Sequence, residues 1–169
     1  MGRLTHQKNQ IILLKAFAKL IKIRSARLLL IGSGSDKEEL VKYIIQKKLT
    51  DKVKIIPFTP NPFNYISLCD LKVLSSRYEG NPNILLEIAS LKKLIISSNC
   101  KVGPREILQS GKGGILFKVG DYNRLYSILK KIDLNSNYIK EKIANSYKYV
   151  QTNFQKDISN SFIDIIKKL

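Results

Sequence analysis

The stretch of residues 71–91 constrains the fold of this chain more than any other segment. An apolar run at 71–74 is typical of a buried strand, and the polar segment 75–80 follows it directly. Asn81 and Pro82 are then suited to the N-cap and the first position of a helix. Strand, loop and helix in direct succession are the unit from which parallel α/β sheets are built.

In open α/β sheets, ligands bind beyond the carboxyl ends of the strands, where this loop would lie. The first N–H groups of the helix have no partner inside the helix, so a phosphate can accept hydrogen bonds from them. Two carboxylates flank the helix start, Glu79 in the loop and Glu87 within the helix. The alternative from the residues alone is that both are solvated carboxylates, one of them favoured by the helix dipole.

The spacing of residues predicts which face of this helix meets the sheet. Asn83 and Glu87 are four residues apart and share one face. Ile84, Ile88 and Leu91 make a different, apolar face, which we expect to pack on the sheet. Glu87 therefore need not point into the core.

The rest of the chain repeats this alternation of strands and helices, which is typical of an α/β fold. Apolar spacing predicts helices at 7–23, 36–49, 61–69, from 104, 121–131 and 134–169, and strands at 26–31, 53–56, 94–97 and within 111–117. The loop that follows the predicted strand at 26–31 contains Gly32 and Gly34, where glycine lets the backbone turn and approach a ligand.

The charge balance favours polyanions without selecting one. The chain has 30 basic and 13 acidic residues, a formal net charge of +17, and its lysines are scattered in pairs. A basic nucleic-acid or anionic-membrane binding module is therefore the alternative function. No recognisable nucleic-acid motif occurs, so no specific nucleic acid is expected.

The cysteine and histidine content argues against a disulfide framework or a zinc site, since the chain has two distant cysteines and one histidine. No apolar run approaches the roughly 20 residues of a membrane span, and no signal-like region follows Met1. We expect a cytoplasmic protein.

Three motifs follow one another along the chain. They are Gly2-Arg3-Leu4 followed by Lys8, the segment from Ser76 to Ala89 with its two glutamates eight positions apart, and Gly103-Pro104-Arg105-Glu106-Ile107-Leu108. Together they resemble the nucleotide-sugar half of the retaining glycosyltransferases of GT-B fold, the large group 1 family. The resemblance runs from Gly2 to about Leu129.

This resemblance implies an α/β fold with a Rossmann-like doubly wound parallel sheet, one half of a GT-B fold. It also implies a single domain of residues 1–169 with a helical tail at 134–169. The first strand of such a sheet is central, and only residues 1–4 stand in for it, so we expect a truncated first strand. An amino-terminal acceptor domain is expected to be absent, and the chain would be inactive alone. A third alternative is a degenerate remnant of such a domain, which would fold poorly because it lacks this central strand.

The resemblance also implies catalytic roles. Arg3 and Lys8 would hold the donor diphosphate, as an arginine fork and a lysine charge can do beside a helix start. Glu79 would contact the donor sugar. On the residues alone, Arg3 is instead a frayed terminal residue and Lys8 a surface lysine.

Other residues would bind the nucleotide sugar by the same resemblance. Glu87 would accept hydrogen bonds from the ribose, and Phe58 would lie near the base, although the residues themselves slightly favour a core position for Phe58. The remaining donor-binding residues, around sugar and phosphate, would be Gly32, Gly34, Gly80, Asn81, Pro82 and Asn83.

The resemblance finally suggests the substrates. The donor would be a UDP-sugar and the acceptor a lipid-linked or cell-surface glycan, with contact at the inner face of the cytoplasmic membrane. Two cations and a helix amino end can stabilise a departing diphosphate, so no cofactor and no metal are expected. Relatives usually have Gly and Pro in the turn at 90–94, where this chain has neither, so we expect that turn to lose its left-handed cap.

Overall fold

The structure, a computed structural model, describes the backbone of residues 1–166 and the side chains of residues 1–153. Helices and strands alternate in this range, as the sequence predicts. The helices are α1 (Gln10–Leu20), α2 (Lys37–Gln46), α3 (Phe63–Ser67), α4 (Asn83–Ser90), α5 (Pro104–Ile107), α6 (Tyr122–Lys131) and α7 (Asn137–Ile166). The strands are β1 (Leu28–Ile31), β2 (Val53–Ile56), β3 (Leu71–Leu74), β4 (Leu94–Ser98) and β5 (Ile115–Phe117).

Every strand pairing among the described residues is parallel. Leu28 pairs with Val53 between β1 and β2, and Leu71 pairs with Leu94 between β3 and β4. The prediction of an α/β fold with a parallel sheet is confirmed.

The strands nevertheless form two separate sheets, in the orders β1-β2 and β3-β4-β5. Residues 1–4 form no strand. Their backbone instead continues past the end of β1, because Gly2 and Leu4 donate hydrogen bonds to the carbonyls of Ile31 and Ser33 at 2.9 and 2.8 Å.

Helices cover both faces of the sheets. Leu94 and Ile96 of β4 belong to a hydrophobic cluster that includes residues of α1, α2 and α6. Ile95, between them, belongs to a second cluster with residues of α4 and α5. Successive side chains of a strand point to opposite faces, so the protein is doubly wound as predicted.

Two helix starts differ from the predictions. The first helix begins at Gln10 rather than residue 7, because Asn9 has a left-handed backbone with φ 50°. Helix α4 begins at Asn83, with Pro82 at the cap position and no side-chain cap. The prediction that Asn81 caps this helix is therefore wrong.

The end of α4 also corrects two expectations. The turn keeps a left-handed residue, because Lys92 adopts φ 53° where a glycine would be less strained. The buried face is wider than the predicted one, since Ile88 is fully buried whereas Ile84 and Leu91 are only partly so. The other buried residues of this helix are Leu85, Leu86 and Ala89.

Helix α7 is integrated into the domain along its described side chains. Ile139 belongs to the first cluster, and Val150 to the second. Residues 167–169 of the predicted helical tail lie outside the described residues. No helix in the described part of the chain is long and apolar enough to span a bilayer.

Candidate functional site

An ion pair between Lys8 and Glu79 lies at the carboxyl edge of β3. The Lys8 Nζ donates to Oε1 and Oε2 of Glu79 at 2.7 and 2.9 Å. The hydroxyl of Ser76 donates to the same Oε1 at 2.5 Å. The Glu79 side chain is only 5% exposed, so its carboxylate depends on these donors for the stabilisation that water would otherwise supply.

Strand β4 supports this arrangement from the neighbouring strand end. The carbonyl of Ser76 accepts hydrogen bonds from the hydroxyl of Ser98 at 2.7 Å and from Sγ of Cys100 at 3.3 Å. Burial raises the pKa of the Cys100 thiol, which therefore keeps its proton and remains a donor. Ser98 was not identified from the sequence, because nothing in a buried Ser-Ser pair signals such a role.

The loop after β3 is also tied to the segment before α1. The N–H of Arg77 donates to the carbonyl of Gln7 at 2.8 Å, and the Ser75 hydroxyl donates to the carbonyl of Lys8 at 2.9 Å. These bonds hold the two motifs side by side although they are about 70 positions apart in the chain.

The glycines of the loop after β1 have a structural role that the sequence did not reveal. A Cβ on Gly32 would lie 2.0 Å from the carbonyl oxygen of Gly2, and one on Gly34 would lie 2.2 Å from that of Leu4. Only glycine lets residues 2–4 approach this closely. Donor contact by these glycines stays a prediction.

The predicted donor-binding residues at the start of α4 surround an uncapped helix end. Gly80, Asn81 and Asn83 are exposed, whereas Pro82 is buried. No side chain caps the helix. The N–H groups of Asn83 and Leu85 donate to the carbonyls of Asn81 and Pro82, so among the first three only the N–H of Ile84 has no partner in the described residues and is available to a ligand. Gly103, which contacts this loop, was not identified from the sequence as a residue that supports the site.

Gly103 precedes α5 with φ 82°, and a Cβ on it would lie 2.4 Å from Cδ of Pro82 and 2.6 Å from the carbonyl oxygen of Gly80. The start of α5 therefore packs directly on the loop that carries the site. The sequence signal was a glycine before a helix-starting proline, but its contact is set by tertiary structure.

Glu87 and Lys72 influence each other electrostatically, although no ion pair joins them among the described residues. Glu87 is half-buried, and burial raises its pKa while the charge of Lys72 partly opposes that effect. Burial also lowers the pKa of Lys72, on the edge strand β3. Glu87 makes no side-chain hydrogen bond to the Lys8–Glu79 network among the described residues.

Arg3 and Phe58 are solvent-facing. The Arg3 guanidinium has no hydrogen-bond or ion-pair partner within residues 1–153, and only its carbonyl is engaged, by Gln10 at 2.8 Å. Phe58 is 73% exposed, so its alternative core position is wrong. An exposed aromatic ring in this loop is available for contact with a base.

Three buried polar atoms near Lys8 lack protein partners within the described range. They are Oγ1 of Thr5, Nδ2 of Asn9 and Oε1 of Gln10. An unpaired buried donor or acceptor costs about 1–3 kcal/mol, so this edge favours a polar ligand or water that would satisfy these atoms. No group of three or more potential metal ligands occurs among the described residues.

The comparisons with known proteins agree with this geometry. The sequence model of the family described as Glycosyl transferases group 1 matches residues 1–149. An uncharacterized glycosyltransferase of Methanocaldococcus jannaschii is 38% identical over 109 residues, which are 64% of this chain and 27% of that protein.

A second relative is the N-acetylgalactosamine-N,N'-diacetylbacillosaminyl-diphospho-undecaprenol 4-alpha-N-acetylgalactosaminyltransferase of Campylobacter jejuni. It is 29% identical over 156 residues, 92% of this chain and 42% of that protein. This chain thus spans less than half the length of both relatives.

A solved structure shows the same fold. Anabaena HepE in complex with UDP-glucose matches 100% of this chain and 48% of its own, with a TM-score of 0.84 and 21% identity. The fold is the Rossmann-like half of a GT-B glycosyltransferase.

Proposed function

The chain belongs to the glycosyl transferases group 1 family, and we propose that it is the donor-binding half of a retaining glycosyltransferase. Its donor is a nucleotide diphosphate sugar, and UDP-glucose is the first to test because Anabaena HepE was crystallised with it. Acceptor binding requires a second, amino-terminal domain, so residues 1–169 alone bind donor without multiple turnover.

The observation that carries this proposal is the Lys8–Glu79 ion pair beside the uncapped start of α4. A diphosphate needs cations and N–H donors, and a sugar needs acceptors for its hydroxyls. Lys8 supplies the first, Glu79 the second, and both lie at the ligand-binding edge of a parallel sheet.

Donor binding redistributes the bonds of this pair. The diphosphate competes with Glu79 for Lys8, and exposed Arg3 adds a second cation. As the bond from the anomeric carbon to the diphosphate breaks, negative charge grows on the leaving oxygen, and these cations and the free N–H of Ile84 in α4 stabilise it. Glu79, released from Lys8, accepts hydrogen bonds from the sugar hydroxyls, and Glu87 accepts them from the ribose.

The test of the diphosphate role compares Lys8→Met with Lys15→Met, a control that removes an exposed lysine of α1. A lost charge-assisted hydrogen bond costs about 1.5–3 kcal/mol, so we expect UDP to bind Lys8→Met at least about 10-fold more weakly by calorimetry. Equal affinities of the two variants would contradict the proposal.

The sugar role of Glu79 is tested with Glu79→Gln. This change frees Lys8 from its ion pair, so UDP should bind as tightly as before or more tightly. UDP-glucose should lose the extra affinity that its sugar confers over UDP. A parallel loss for both ligands would mean that Glu79 only supports the loop.

We also propose that no metal takes part in leaving-group stabilisation. UDP affinity should then be the same in EDTA and in millimolar Mg²⁺. An affinity at least about 10-fold higher with Mg²⁺ would contradict this assignment.

A lipid-linked acceptor would bring the protein to the inner face of the cytoplasmic membrane. The net charge of +17 favours this contact, and the Campylobacter relative is named for a diphospho-undecaprenol substrate. Vesicles with phosphatidylglycerol should bind the protein at low salt, with UDP affinity unaffected. If nucleic acid or vesicles displaced UDP, the alternative of a general polyanion-binding module would be favoured.

A further inference from the structure

Lys8 lies in a turn rather than in helix α1, and Asn9 is the residue that separates the two. Asn9 has a left-handed backbone, with φ 50° and ψ 44°, and is only 3% exposed. The N–H groups of Lys8 and Asn9 both donate to the carbonyl of Thr5, at 2.9 and 3.1 Å. The chain thus forms a tight turn over residues 5–9 before the helix begins at Gln10.

This turn leaves the carbonyl of Lys8 available for a tertiary contact. In a continuous α-helix, the N–H of Ile12 would donate to that carbonyl, four residues back. It donates instead to the carbonyl of Asn9, at 3.3 Å, and the Lys8 carbonyl accepts a hydrogen bond from the Ser75 hydroxyl at 2.9 Å. The left-handed residue therefore replaces one hydrogen bond of the helix by one to the loop after β3.

The same turn sets the direction of the Lys8 side chain. If the helix continued backwards, residues 8, 12 and 15 would share one face, because side chains three and four positions apart are neighbours on a helix. Lys15 on that face lies over the Tyr122 ring of α6, with its Nζ 5.9 Å from the ring centre. The Nζ of Lys8 instead reaches Glu79, at 2.7 Å.

We propose that Asn9 is a positioning residue for Lys8 and acts through its left-handed backbone. Asparagine adopts this conformation more readily than most residues, and glycine adopts it freely. The Nδ2 of Asn9 is buried without a partner in the described part of the chain, so this amide donor makes no hydrogen bond to the ion pair. The backbone conformation, rather than the amide, is what a substitution must preserve. This role rests on the proposed binding of the donor diphosphate by Lys8.

The test changes the conformational preference at this position. Asn9→Gly keeps the left-handed backbone accessible, whereas Asn9→Val disfavours it, because a β-branched residue is strained at positive φ. Asn9→Ala repeats the unfavourable change in a milder form. The matched control is Lys48→Val, because Lys48 is exposed beyond the end of α2 and has φ 53°. Calorimetry measures UDP affinity, and thermal unfolding measures stability.

We expect UDP to bind Asn9→Val at least about 10-fold more weakly than the parent, because Lys8 loses its approach to the diphosphate. Asn9→Gly should bind UDP like the parent, and Asn9→Ala should fall between the two. Lys48→Val should lose thermal stability without losing affinity. If Asn9→Val and Asn9→Ala were destabilised like the control but bound UDP normally, the proposal would be overturned. It would also be overturned if Asn9→Gly bound UDP as weakly as Asn9→Val, since the amide would then be the group that matters.

A double variant tests whether Asn9 acts through Lys8. In Lys8→Met the cation is absent, so the addition of Asn9→Val should cost no further UDP affinity. A further loss of about 10-fold would show that Asn9 acts on another group, and would overturn the assignment.

Amide hydrogen exchange separates this proposal from the proposed function. The N–H of Arg77 donates to the carbonyl of Gln7, which belongs to the turn over residues 5–9. Without UDP, exchange of this amide should be at least about 10-fold faster in Asn9→Val than in Asn9→Gly, because the turn no longer holds the loop. A parent that binds no UDP would contradict donor binding alone, whereas equal exchange in the two variants would overturn the role of Asn9.

Discussion

Glu79 accepts three hydrogen bonds, two from Lys8 and one from Ser76, so its charge is balanced before any ligand arrives. A diphosphate that draws Lys8 away leaves the carboxylate short of donors in a place where water has little access. Sugar hydroxyls are such donors. The pair therefore couples the two ends of a nucleotide sugar, since binding of one end prepares the site for the other.

The half-buried Glu87 should make the free energy of unfolding depend on pH. Burial raises the pKa of Glu87, so the folded state holds this proton more tightly than the unfolded state does. Its contribution to stability is then fully present below the ordinary pKa of a glutamate and falls as pH rises through the raised value. Glu87→Gln should lack this fall, so at neutral pH its Tm should equal or exceed that of the parent.

The same variant should bind UDP at least about 10-fold more weakly, because a charged acceptor for the ribose is lost. Melting curves at several pH values and calorimetry check the two effects, with exposed Glu39→Gln as the control. A variant that is less stable at neutral pH and binds UDP normally would contradict both assignments.

At the scale of elements, the site depends on strand ends and helix starts that are distant in sequence. The ends of β3 and β4 meet through the Ser98–Ser76 hydrogen bond, and the start of α5 packs on the loop before α4. Parallel pairing produces this convergence, because it brings the carboxyl ends of neighbouring strands to one edge. The loop is thus positioned by its neighbours more than by its own residues.

Gly103→Ala tests this dependence on α5. The new Cβ would meet Pro82 and the Gly80 carbonyl, in addition to the strain of a positive φ. We expect a cost of roughly 2–3 kcal/mol and weaker UDP binding, because the loop must move.

Gly111→Ala is the matched control for this prediction. Its φ is +100°, but a Cβ there meets nothing within 4 Å, so only the backbone strain of about 1 kcal/mol should appear. Denaturant unfolding and UDP titration measure both variants. Equal costs with unchanged affinity would show that Gly103 matters only for its φ.

At the scale of the whole molecule, β4 and α7 connect the two hydrophobic clusters, because each contributes residues to both. The first cluster contains Leu30 of β1 and Ile96 of β4, so it spans both sheets. Helix α7 contributes Ile139 to the first cluster and Val150 to the second. The domain should therefore unfold as one cooperative unit even though its strands form two sheets.

Ile139→Ala and Val150→Ala test this cooperativity, with exposed Lys140→Ala as the control. Each core change should cost about 2–4 kcal/mol from lost burial and the cavity left behind. Far-ultraviolet circular dichroism and tyrosine fluorescence should report the same single transition, lowered in both core variants. Two separated transitions in either variant would contradict the prediction.

Local patterns predicted most of the elements, and motif spacing selected the residues of the candidate site. Alternating apolar runs and helical spacing identified the order of strands and helices, because burial imposes those periods on the residues themselves. Boundaries failed where a residue other than glycine adopts a left-handed backbone. Asn9 is of a residue type that adopts this conformation more readily than most, whereas nothing local marked Lys92.

The sequence by itself determined that this chain folds as a parallel α/β domain of the group 1 family, since periodicity and motif spacing are properties of the chain. Tertiary structure alone decided that Glu79 pairs with Lys8, that Phe58 is exposed and that the strands form two separate sheets. These features depend on contacts between segments that are distant in the chain, and no local pattern of residues specifies such contacts.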